Sequence, residues 1–99
     1  MSKAATQTRE AAETLAIQAL SFLATEPEQL SRFLALSGID PGAIRAVAAE
    51  PEFLAGVLAH LAQDDALLVR FAAEAGVKPA AVERARAVLS GRDGERDVP

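Results

Sequence analysis

Leu30-Ser31-Arg32-Phe33-Leu34-Ala35-Leu36-Ser37-Gly38-Ile39-Asp40-Pro41 decides how the chain is read. Thirty-eight residues later, Leu68-Val69-Arg70-Phe71-Ala72-Ala73-Glu74-Ala75-Gly76-Val77-Lys78-Pro79 follows the same plan. Each stretch carries Arg-Phe, four residues, Gly, an aliphatic, any residue and Pro. Ala43-Ile44 then falls on Ala81-Val82. Upstream, Leu20, Leu23 and Ala24 fall on Leu58, Leu61 and Ala62. The Ala matches carry little weight in an Ala-rich chain, whereas the co-aligned Arg-Phe and Gly-aliphatic-x-Pro carry more. The spacing points to two pseudo-repeats offset by 38 residues.

Punctuation divides each copy into three helices. Helix 1 is predicted from Thr8 to Ala24, with Leu15, Ala19, Phe22 and Leu23 on one face. Thr25 reads as the cap of helix 2, with Glu28 completing a capping box. Gly38 stands where a left-handed residue ends that helix. Asp40 caps helix 3, with Pro41 at its first position, where a missing N–H is harmless. Glu50-Pro51 opens helix 4, which runs to about Gln63. Asp64 or Asp65 caps helix 5, and Gly76 ends it. Pro79 opens helix 6, which stops near Ser90-Gly91. No stretch alternates as a strand does. The expected fold is all-α, a compact bundle of about six short helices. It forms one domain over 8–91, with flexible tails at 1–7 and 92–99.

Composition excludes much. In 99 residues there is no Cys, Trp or Tyr and a single His, which removes thiol chemistry, disulfides and most catalytic vocabulary. The net charge is −4, whereas a nucleic-acid duplex carries one negative charge per ~1.7 Å and selects basic surfaces. The longest apolar run, Phe53 to Ala59, is far short of the ~20 residues of a membrane span. The start, Met1-Ser2-Lys3-Ala4-Ala5-Thr6-Gln7, lacks the apolar core of a signal peptide, so a cytoplasmic location is expected. Arg far outnumbers Lys and Ala abounds, a compositional habit of GC-rich bacterial genomes.

The order of capped helix, Arg-Phe-Leu-Ala-Leu-Ser-Gly-Ile-Asp-Pro and Pro51-Glu52-Phe53-Leu54 resembles a family of small alphaproteobacterial proteins, domain of unknown function 3572. The resemblance covers roughly Ala11 to Leu89. It implies a cytoplasmic helical protein with no assigned activity, cofactor or catalytic residue. The resemblance also implies genes that often neighbour a single-domain response regulator, and with them a signalling partner.

Few residues could carry chemistry. Ala72, Gly76, Val77 and Val82 have the spacing of a helix-turn-helix corner, and Leu34, Gly38, Ile39 and Ile44 fit it less well. A DNA-associated protein would then use helix 79–90, with Lys78, Arg84 and Arg86 reaching the duplex. Against this, Ala80 and Ala81 cannot hydrogen-bond a base edge, and Glu83 repels phosphate. The simpler reading is a packing corner that needs Gly and Pro. His60 and Asp64 share a helix face, but two ligands do not close a metal site. His60 aligns with Phe22, so a half-buried ring at the core margin is expected, and Asp64 reads as a cap. Glu26, Glu28, Glu50, Glu52, Asp64 and Asp65 gather at helix starts, where the helix dipole favours them. Ser21, Ser31, Ser37 and Ser90 have no adjacent base. No catalytic, metal or cofactor residue is assigned, and no enzyme is expected.

Interaction residues are more legible. Arg32 and Arg70 are equivalent and each precedes a core Phe, which places both on outer faces. Glu28–Arg32 has the favourable i,i+4 order. A position that is polar in one copy is expected to be partly exposed in the other. That marks Leu36 (against Glu74), Val69 (against Ser31) and Phe22 (against His60). Ile17 falls on the polar side of helix 1. Exposed apolar groups that form a patch mark interaction surfaces. The expected partner-binding residues are Arg32, Leu36, Val69 and Arg70, for another protein or a second copy of the chain.

Overall fold

Proline and glycine set the helix boundaries in the computed structural model, which describes residues 8–91. In chain order the helices are α1 (Arg9–Ala24), α2 (Pro27–Ser37), α3 (Ile44–Val47), α4 (Pro51–Ala62), α5 (Asp65–Ala75) and α6 (Pro79–Leu89). A 3₁₀ turn, Pro41–Ala43, leads into α3. There is no strand among the described residues. The expected tails, 1–7 and 92–99, lie outside them.

Side chains and prolines serve the helix starts. Thr8 Oγ1 accepts the Ala11 N–H at 2.9 Å, and Asp64 Oδ1 accepts the Leu67 N–H at 3.2 Å. Prolines open α2, α4 and α6. Gly38 and Gly76 both adopt φ +74°, and the amide after each closes onto the carbonyl five residues back, Ile39 to Leu34 and Val77 to Ala72. A Cβ at either glycine would meet nothing within 4 Å, so only backbone conformation resists substitution there. Gly76→Ala is therefore expected to destabilise by about 1–2 kcal/mol in urea titrations, and Gly76→Asn by less.

Two helices differ from the sequence reading. Thr25 does not cap α2; it ends α1, its hydroxyl donating to the Phe22 carbonyl at 2.7 Å. Pro27 forces the residue before it out of helical geometry, so the boundary falls at Glu26 and Glu28 is one position early for a capping box. The helix expected from Asp40-Pro41 is reduced to a 3₁₀ turn and the four-residue α3. Gly42 weakens its first turn, and Pro51 forces Glu50 into extended backbone. The matched positions in α6 are Ala80 and Leu89, and that helix runs for 11 residues.

The core lies where α1, α4 and α6 pack on one another, while α2 and α5 each touch both α1 and α4 from the sides. Ala12, Ala16 and Ala19 of α1 and Ala85 of α6 are fully buried. Their small side chains bring the central helices close around Leu23, Leu54, Val57, Leu58, Leu61 and Val82. Phe22 packs on Phe71 and Phe33 on Phe53, with ring centroids 5.5 and 5.7 Å apart. Among the described residues three large apolar side chains remain outside: Leu36 is 71% exposed, Val69 57% and Ile17 50%. Phe22, expected to be partly exposed, is only 5% exposed.

Candidate functional site

Phe22 and His60 show what separates the two halves. Phe22 packs at a tilt on Phe71, and His60 packs edge-on against Phe33 at the same centroid distance, 5.5 Å. A shift of 38 residues relates the two pairs, and each joins helices from different halves of the chain. The Arg70 guanidinium lies 5.4 Å from the Phe22 ring centroid and is ion-paired with Glu26. That cover explains why the His60 comparison failed for Phe22. An imidazole tolerates half burial, so a polar counterpart did not require an exposed ring.

The matched residues around His60 are Arg32 and Asp64, and they do not form an ion pair. Asp64 is one methylene shorter than Glu26, and its carboxylate caps α5. Glu26 makes no capping bond and is available to Arg70. The expected Glu28–Arg32 pair also does not form; the ion pairs among the described residues are Arg70–Glu26 and Arg86–Glu83. Arg32 instead lines an open cleft between α2 and the α4–α5 corner, of about 330 Å³. Leu36, one turn along α2, lines it too, with Gln29, His60, Gln63, Asp64 and Asp65. A shallower hollow adjoins it and shares Leu36, His60 and Gln63; Phe33, Ser37, Gly56 and Ala59 complete its lining. Together they form a groove between α2 and α4.

A counterpart groove lies between α1 and α5. Shifting each residue of the shallow hollow by 38 gives Phe71, Glu74, Ala75, Gln18, Ser21, Phe22 and Thr25. All seven line a cleft of about 680 Å³ between α1 and α5, which Ile17 also borders. The positions correspond, but the chemistry has diverged. Glu74 stands where the α2–α4 groove has Leu36, and Phe22 where it has His60.

Of the four expected interaction residues, the structure brings Arg32 and Leu36 together on one wall. Val69 and Arg70 sit on α5 and line neither part of that groove. Val69 is exposed by itself, and Arg70 is engaged by Glu26 and Phe22. The residues missed from sequence are those of the opposite wall: Gly56, Ala59 and Asp65, with His60 between them. No local signal in the sequence points to them, because only the packing of α2 beside α4 sets them opposite Leu36.

The setting of His60 changes its titration. Its Nε2 lies 3.4 Å from Gln29 Oε1. Burial lowers its pKa from 6.5, the Arg32 charge lowers it further, and Asp64 opposes both. As pH falls below 6.5, the unfolded chain takes up the proton before the folded one. The stability from the neutral ring is thus present above that pH and declines below it. Because the chain has one histidine, its ring resonance in NMR reports this directly. The titration midpoint is expected below 6.5, closer to 6.5 in Arg32→Ala and lower still in Asp64→Asn.

No group of three or more potential metal-ligating His, Cys, Asp or Glu side chains occurs among the described residues. The other corner singled out from sequence, between α5 and α6, has Ala72 and Val82 buried beneath it. On α6, Val82, Ala85 and Leu89 face the core, and Arg86 is held by Glu83 at 2.9 Å. Arg84 is exposed beside Glu83. No described helix is long and apolar enough to cross a membrane. Neither a curated protein nor a solved structure matches the chain. A family model, Protein of unknown function (DUF3572), matches residues 9–92, and with all six helices inside that span the chain belongs to this family.

Proposed function

We propose that the protein is a cytoplasmic interaction module, an adaptor or regulatory domain without catalysis, and that the α2–α4 groove is its contact surface. The observation that carries this reading is Leu36. It is the most exposed large apolar side chain of the described fold, on the rim of a groove and one helical turn from Arg32. Full burial of a Leu side chain is worth about 1.5–3 kcal/mol, so a partner covering it gains affinity from a single contact. Arginine is a residue type that interfaces favour. The groove offers recognition chemistry: an apolar knob, a guanidinium, carboxylates and side-chain amides. A signalling regulator is the partner class that the family resemblance implies.

Affinity capture of the tagged chain from its host, with nuclease treatment, tests the reading. Recovery of one protein near stoichiometry, resistant to nuclease, supports it. Recovery of DNA, or of proteins lost on nuclease treatment, overturns it in favour of helix 79–90 and Arg84.

A further inference from the structure

We infer that a second copy of the chain docks on the α2–α4 groove about a twofold axis. This rests on reading the groove as an interaction surface and names an occupant for it. In a twofold interface the same patch meets itself, so it must carry both halves of every contact. The groove does so in shape. Leu36 projects from α2, and beside it Gly56 and Ala59 of α4 leave a shallow hollow. The hollow is open because Gly56 has no side chain, and a Cβ there would come no nearer than 4.0 Å to the Phe33 ring.

The groove also complements itself in charge. Arg32 lies on one wall and Asp65 at the other, and neither is in an ion pair among the described residues. A twofold rotation brings each Arg32 towards the Asp65 of the other copy while each Leu36 enters the opposite hollow. The α1–α5 cleft lacks these features. Ile17 borders it, but Glu74 stands in place of the apolar knob, Arg70 is already engaged by Glu26, and Pro27 holds the position matching Asp65, so the self-complementary charge pair is missing.

The test is sedimentation equilibrium of the full chain from micromolar to millimolar concentration, with Arg32→Glu, Asp65→Arg and Leu36→Glu, each checked for wild-type helical circular dichroism. The wild type is expected to approach twice its 10.3 kDa mass. Each variant alone is expected to dimerise at least about tenfold more weakly. An equimolar mixture of Arg32→Glu and Asp65→Arg is expected to regain the dimer, because one charge pair is then native and the other is restored in reversed order. Leu36→Glu, at an exposed position, reports on the groove even if Asp65→Arg disturbs the start of α5. A wild type that stays monomeric throughout overturns the inference. So does a dimer that survives both Arg32→Glu and Leu36→Glu. Either result leaves the interaction-module reading to its own capture test, which a monomer can still pass.

Discussion

Phe71→Ala is expected to lower the unfolding free energy by about 3–5 kcal/mol, read as a shift of the urea midpoint. Phe71 is among the largest fully buried side chains, and its ring joins α5 to α1 through Phe22. Truncation removes that aromatic contact and opens the floor of the α1–α5 cleft, which both rings line. Small domains have about 5–15 kcal/mol in total, so much of the native stability would go. A midpoint shift corresponding to less than about 1 kcal/mol would mean that α5 is not part of the cooperative core.

Leu58→Ala is expected to destabilise by about 2–5 kcal/mol, and Leu20→Ala at the matched position by less. Leu58 is completely buried in α4, whereas Leu20 on α1 is only partly buried at the margin of the core. The difference follows the unequal third helices. The long α6 packs extensively on both α1 and α4, while α3 makes little contact with the other helices. Equal losses at the two leucines would show that the halves are packed alike, contrary to the structure.

Much of the fold was legible because proline and glycine act locally. Pro51 and Pro79 fix φ and exclude helical backbone just before them, and Gly38 and Gly76 accept the left-handed geometry of a helix end. Comparing positions 38 apart also marked Leu36 and Val69 as exposed. The same local chemistry explains the errors. The Thr25-Glu28 signature matched a capping box, but Pro27 between them moved the helix start. Gly42 and Pro51 shortened the third helix, although Asp40-Pro41 gave a good start signal.

The site was less legible because it depends on contacts between distant parts of the chain. Arg32 and Arg70 occupy the same local context, yet Arg70 finds Glu26, 44 residues away, and Arg32 does not gain its counterpart. The reason is one methylene and one cap at Asp64. Nor does any local signal say that α2 lies beside α4, which is what sets Leu36 next to Gly56, Ala59 and His60.

The role of the α2–α4 groove is measured most directly by capturing partners with the tagged wild type and Leu36→Glu, side by side, from the same nuclease-treated extract. Leu36→Glu is expected to keep its helical circular dichroism and a stability within about 0.5 kcal/mol of wild type, as an exposed substitution should. It is expected to lose the protein that the wild type retains. A variant that unfolds, or that retains the same protein in equal amount, would contradict the assignment of this face.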